Sequence, residues 1–293
     1  MGTHAHDDHI AGLSKVLAAC SDAPFVGSTA LTLDEFMREM ELDEEIERRI
    51  RKSIRSEYRA IFDIIETRPP GRGLKRAIEG RPLFERQASG NTPAARVIAL
   101  SPSDWAVERS RDALEKGLAQ AGARTKLGAA DPNEFAVALA VMIGDATVLL
   151  GADLLHGPAG CGWQAVLDNF TFDPLASVFK VPHHGSPNAH HDGIWGQLVS
   201  SDAISLLAPF RSGPRARPAQ SDIERLKGLS RAVYCSASPR PPAPNRAVRE
   251  ASAALSTLAT NVRTIGYSGQ VRARRVSGSS TWSVTTFPPA RQL

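Results

Sequence analysis

The run Thr3-His4-Ala5-His6-Asp7-Asp8-His9 places three imidazoles and a carboxylate at H-x-H-x-D-H spacing within one turn of chain. If the segment leaves a strand and enters a helix, His4 and His6 project together toward one cation while Asp8 and His9 reach a second. The rest of the chain must then fold around that turn to complete both shells. Imidazole nitrogen and carboxylate oxygen suit Zn²⁺, and also Mn²⁺ or Fe. The bland alternative, an affinity tag or a chance polar run, makes no demand on the sequence downstream.

Two later segments meet that demand. Phe135 to Ile143 is a near-continuous apolar run, Gly144-Asp145 is a two-residue turn signal, and Ala146 to Leu150 resumes as a strand. This hairpin delivers Gly151-Ala152-Asp153 to a strand end, where a carboxylate is poorly placed for simple solvation and well placed to bridge two cations. Ala176 to Val181 reads as another strand and ends in Pro182-His183-His184-Gly185-Ser186. One of these imidazoles completes the second shell, with His183 taken as the ligand. His184 then donates to a developing charge or leaving group, or supports His183. His156, His190 and His191 read as loop or surface residues.

These motifs, in this order, resemble the metallo-β-lactamase superfamily. T-H-A-H-D-D-H-I-A-G-L, L-L-G-A-D-L and F-K-V-P-H-H-G-S are most similar to the hydrolase domain of ComEC-type DNA-uptake proteins and their free-standing relatives. Asp131-Pro132-Asn133-Glu134 resembles that branch's Asn-containing lead into the hairpin, and Ala99-Leu100-Ser101-Pro102 its strand ending in Ser-Pro. The likeness covers most of residues 1–15 and 95–275. It implies a four-layer αβ/βα sandwich, here without the strands that precede the opening turn in related domains. It also implies one or two Zn²⁺ ions, with Mn²⁺ an alternative, on His4, His6, Asp8, His9, Asp153 and His183. Asp8, Asp153 and His184 form the catalytic group. Residues 10–155 contain no histidine, so the first cation has only His4, His6 and Asp153 from among the motifs. A single-metal site on Asp8, His9, Asp153 and His183 is the competing arrangement, and Ser101, Ser103 and Asp104 are further neighbours by sequence.

The chemistry expected of such a set is hydrolysis by a water that a metal acidifies, with the same cation polarising the scissile carbonyl or phosphoryl oxygen. The resemblance implies phosphodiester cleavage, of DNA above all. A small ester, thioester or lactam is the alternative substrate, and a truncated, non-catalytic scaffold is the alternative class.

Composition bounds these readings. The 293 residues are 42% hydrophobic and 23% charged, enough for a full core in a single domain spanning 1–293. Cys20, Cys161 and Cys235 are scattered and odd in number, which argues against a disulfide framework. No apolar run approaches the roughly 20 residues that span a bilayer, and no signal peptide opens the chain, so a cytoplasmic location is expected. Basic residues exceed acidic ones by only 35 to 31. Their clustering at Arg211, Arg215, Arg217, Arg240, Arg246 and Arg249, and again at Arg272, Arg274 and Arg275, suits either a phosphodiester-facing rim or a solvated face.

An insertion occupies about 32–92. Ile46, Ile50, Ile54, Tyr58, Ile61 and Ile65 recur at three- and four-residue spacing, predicting an amphipathic helix over 34–65 capped by Thr32 and Glu35. Its stripe packs on the chain's own body or docks a protein partner, as an exposed sheet edge also would. Residues to about Thr92 read as polar and Gly/Pro-punctuated. Helices are expected at 107–121, 221–229 and 246–258, and strands at 203–208, 232–236, 262–267, 271–276 and 281–287.

Overall fold

The computed structural model describes residues 1–30, 52–120, 131–210, 216–237, 246–258, 269–276 and 278–293. They form a mixed α/β protein that divides into two compact units, Met1–His183 with Asn188–Ser200, and His184–Pro187 with Ser201–Leu293.

In the first unit, the opening turn runs into α1 (Asp7–Ile10) and α2 (Leu13–Ala19), followed by β1 (Phe25–Ser28) and α3 (Lys52–Glu66). The α3 stripe buries Tyr58 and Ile61 against Ala5, Ile10, Leu17 and Phe25, so it packs on the chain's own opening segment. Glu57 adds a polar tie, accepting from the Ser14 amide at 2.6 Å. The predicted Thr32 cap and the helix before Lys52 lie outside the described residues. Proline at 69 and 70 cannot extend a helix, and α3 ends at Glu66.

The segment read as irregular contains two strands, β2 (Leu74–Ala77) and β3 (Pro82–Arg86). β2 pairs parallel with β1. β3 is terminal in a run of five neighbours, β3-β4-β5-β6-β7, with β4 at Ala95–Ala99, β5 at Leu139–Ile143, β6 at Ala146–Leu150 and β7 at Ala176–Lys180. Pairing is antiparallel up to β6 and parallel between β6 and β7. Pro82 stands at the first residue of its strand, a position where a missing N–H is tolerated. The predicted hairpin forms with Ile143 opposite Ala146, but of the run from Phe135 only Leu139–Ile143 is strand, and Phe135 closes a short 3₁₀ turn, Pro132–Phe135. Among the described residues, this unit also holds the α-helices α4 (Asp104–Gln120), α5 (Gly162–Asn169) and α6 (Ile194–Gln197).

The second unit holds β8 (Val199–Leu207), α7 (Gln220–Leu229), β9 (Ala232–Cys235), α8 (Arg246–Leu258), β10 (Gln270–Arg274), β11 (Ser283–Phe287) and β12 (Arg291–Gln292). β9 pairs parallel with β8 and antiparallel with β12, and β10 and β11 form an antiparallel pair. The strand predicted at 262–267 lies outside the described residues. All three cysteines are free thiols. Among the described residues, no helix is long and apolar enough to cross a membrane.

Candidate metal centre

Two backbone hydrogen bonds hold the residues before the opening turn. The Gly2 amide donates to the Val26 carbonyl at 2.9 Å, and the Val137 amide donates to the Thr3 carbonyl at 3.1 Å. The chain then folds back on itself, with the His9 and Ile10 amides both donating to the His6 carbonyl. That reversal is why H-x-H-x-D-H spacing gathers its side chains.

His4 is fully buried. Its Nε2 lies 3.2 Å from His6 Nδ1 and 3.9 Å from Asp153 Oδ2, while Thr3 Oγ1 sits 3.1 Å from its Nδ1. Two nitrogens bound tetrahedrally to one Zn²⁺ at its usual bond lengths stand about 3.3 Å apart. The His4–His6 spacing fits that edge, and His4, His6 and Asp153 together form a group able to hold a cation. His9 Nε2 lies 3.1 Å from the same Asp153 Oδ2 and 3.6 Å from Asp8 Oδ2. One carboxylate oxygen thus faces two imidazoles whose ring centroids stand 4.2 Å apart.

The local chemistry keeps His4 in the form a metal needs. Burial, reinforced by the neighbouring His9, drives the His4 imidazole down to about 3, against the opposing pull of Asp153 and Asp8. At neutral pH it is therefore uncharged, with a lone pair to donate. Lys180, at the end of β7, was not singled out from sequence. Burial lowers its ammonium, against the opposing pull of the carboxylates of Asp153 and Asp8. Its sequence signal is a lysine ending an otherwise apolar strand.

Asp153 is placed by Gly151. The Gly151 amide donates to the Lys180 carbonyl at 3.0 Å, and a Cβ there would stand 2.9 Å from that carbonyl oxygen and 3.0 Å from Pro182 Cβ. Only glycine permits this approach of β6 to β7. The His183 amide then donates to the Ala152 carbonyl at 3.1 Å. Among the described residues, Ala152, His183 and His184 are the only non-glycine residues with positive φ, at 45°, 43° and 56°. Backbone strain of this kind clusters where a structure over-determines side-chain placement.

His183 is oriented by amides. Its Nδ1 donates to Asn188 Oδ1 at 2.8 Å, and Asn133 Nδ2 approaches its Nε2 at 3.4 Å. Asn133 is buried and its Oδ1 finds no hydrogen-bond partner. His184, in the second unit, donates from Nδ1 to the Ala208 carbonyl at 2.8 Å, which leaves its lone pair on Nε2. Ser101 and Ser103 direct their hydroxyls to the carbonyls of Ala136 and Gly160, so both serve backbone structure. His156, His190 and His191 gather elsewhere in the first unit.

Of the arginines read as a rim, Arg217 pairs with Asp222, Arg246 with Glu250, and Arg272 lies over the Phe287 ring. Arg211, Arg215 and Arg240 lie outside the described residues.

The fold and site together define a mixed α/β protein with a buried His/Asp group suited to a metal ion. Comparisons with family models, curated proteins and solved structures return no match to this chain.

Proposed function

We propose that this protein is a metal-dependent hydrolase of metallo-β-lactamase type acting on phosphodiesters, with DNA as the first substrate to test. The observation that carries the reading is the convergence of His4, His6 and His9 on the buried Asp153. Those residues would hold Zn²⁺ or Mn²⁺, with Asp8 joining from the same turn and His183 as the remaining imidazole. When bound, the metal supplies an acidified water and a Lewis acid for the scissile phosphoryl group. Asp153 ties the two halves of the ligand set together. Lys180, felt electrostatically by both Asp153 and Asp8, would offset part of their negative charge. Whichever of His183 and His184 lies outside the ligand set handles the proton of the leaving oxygen. The arrangement of five strands behind hairpin-borne ligands supports a metallo-β-lactamase sandwich.

The test is metal content of purified protein by atomic emission, then incubation with Zn²⁺ or Mn²⁺ and single- or double-stranded DNA. One or two equivalents of metal, with cleavage abolished in His4→Ala and Asp153→Ala, is the expected result. Absence of tightly held metal would favour the scaffold class. Metal without DNA cleavage, combined with turnover of a chromogenic ester or lactam, would move the substrate assignment.

A further inference from the structure

Asn133 sits at 4% exposure in the 3₁₀ turn Pro132–Phe135. Its backbone is held at several points. The Asp131 carboxylate accepts from its amide at 3.0 Å, and its own carbonyl accepts from the Ala136 amide at 3.3 Å. Just beyond, the Phe135 carbonyl accepts from Ser28 Oγ at 2.9 Å and the Ala136 carbonyl from Ser101 Oγ at 2.6 Å. The Val137 amide then donates to the Thr3 carbonyl, next to His4. A turn tied in this way gives the Asn133 carboxamide a fixed base beside the opening turn. The two ends of that carboxamide are unequally served. Nδ2 lies 3.4 Å from His183 Nε2, long for a hydrogen bond, while Oδ1 is buried and has no hydrogen-bond partner. A buried acceptor left without a donor costs its full desolvation. In a native protein such a group points to an ion or water that completes it.

The geometry favours an ion. His183 Nδ1 donates to Asn188 Oδ1 at 2.8 Å, so the lone pair is on Nε2, the nitrogen that faces Asn133. At metal–ligand bonds of about 2.1 Å, two atoms on one edge of a cation's shell stand about 3.0–3.4 Å apart. The 3.4 Å between His183 Nε2 and the head of the Asn133 carboxamide matches that edge. A half-turn about the Asn133 Cβ–Cγ bond exchanges Nδ2 for Oδ1. Oδ1 would then meet the Nε2 lone pair, a repulsive contact of two acceptors that a cation between them converts into two bonds. We propose that Asn133 Oδ1 is a metal ligand that shares one edge of a cation's shell with His183 Nε2, and that this neutral oxygen raises the site's affinity for Mn²⁺ relative to Zn²⁺. Amide carbonyl oxygen suits Mn²⁺ better than it suits Zn²⁺. The inference rests on the reading of His183 as the remaining imidazole of the shell. Asn133, His183 and Asn188 all belong to the first unit.

The experiment titrates the metal-stripped full chain with Mn²⁺, followed by electron paramagnetic resonance, and with Zn²⁺ against a chromophoric chelator. Urea unfolding without metal runs beside it. Asn133→Leu keeps the side-chain volume and removes both polar ends, so Mn²⁺ is expected to bind about 10- to 100-fold more weakly, with a smaller loss for Zn²⁺. Its metal-free urea midpoint is expected to stay at or above that of wild type, because an unserved acceptor has gone. Asn133→Asp separates ligation from hydrogen bonding. It keeps an oxygen, adds charge and deletes the Nδ2 donor, so Mn²⁺ is expected to bind about 10-fold more tightly, whereas a residue that only donates to His183 would lose its effect. Asn133→Ala serves if the leucine variant fails to fold. Wild-type Mn²⁺ affinity in the folded leucine or alanine variant, or weakened Mn²⁺ binding in folded Asn133→Asp, overturns the inference. An equal loss of the two cations overturns the preference for Mn²⁺. A wild-type chain that binds neither cation, or a His183→Ala chain that binds both as wild type does, overturns the underlying reading instead.

Discussion

Two histidine clusters in the first unit use the same side chain for opposite ends. In the opening turn, His4 Nε2 lies 3.2 Å from His6 Nδ1, and His4 Nε2 and His9 Nε2 lie 3.9 Å and 3.1 Å from Asp153 Oδ2. In the other cluster, His156 and His191 stack with centroids 4.4 Å apart. Their nitrogens are committed elsewhere: His156 Nδ1 donates to the His190 carbonyl, and His191 lies between the Gly193 amide and Gln164 Oε1. His190 donates to the exposed Asp192. A metal site therefore depends less on how many imidazoles gather than on whether their lone pairs are left facing a buried carboxylate. Burial separates the pair further, since His4 has no solvent exposure while His156 is exposed.

The sharpest way to break this contrast is to remove one carboxylate from each cluster. Asp153→Ala is expected to weaken metal binding by at least ~100-fold, whereas Asp192→Ala leaves metal stoichiometry unchanged in the same equilibrium dialysis. If both variants hold metal equally, the two clusters are not functionally distinct. Gly151→Ala comes next in size. Its Cβ must displace the Lys180 carbonyl or Pro182, which is expected to cost about 1–3 kcal/mol in urea unfolding and to weaken metal binding as well. An alanine variant with unchanged stability would show that β6 and β7 tolerate separation there.

Protonation sharpens the same comparison. His4 is held near 3 when folded against 6.5 unfolded, so the unfolded chain takes up a proton below 6.5 that the folded chain refuses. Stability of the metal-free protein is therefore full above that value and lost as pH falls toward 3, by about 2 kcal/mol at about pH 5. Urea unfolding across that range should show the slope in wild type and a flatter one in His4→Gln. Burial also lowers His191, aided by His156 and against Asp192. It contributes in the same direction but less, being only half-buried. The smallest expected effect is His191→Ala, within about 1 kcal/mol in stability and without change in metal content. A large loss of metal in that variant would join the two clusters into one site.

The legible parts of the chain were those in which function and period are local. The opening turn, the 139–150 hairpin with its Gly144-Asp145 reversal, β7 and the helices at 220–229 and 246–258 all follow from spacing and turn chemistry. β2 and β3 did not, because their residues are mostly exposed and no alternating apolar face marks them. β1 was missed for its length of four residues, too short for periodicity to speak. Lys180 was missed near Asp153 because the residues it feels, Asp153 and Asp8, are distant from it in sequence.

The sequence by itself determined which side chains share a turn: His4, His6, Asp8 and His9 in one, Asp153 after a hairpin, His183 and His184 after a strand. Tertiary structure decided which partner each imidazole nitrogen meets. Backbone bonds from Gly2 to Val26 and from Val137 to Thr3 bury His4 beside Asp153, while Asn188 and Ala208 claim one nitrogen each of His183 and His184. The physical reason is that spacing along a chain fixes proximity within a few residues, whereas a ring's tautomer and direction are set by the donor or acceptor that folding brings to its other nitrogen.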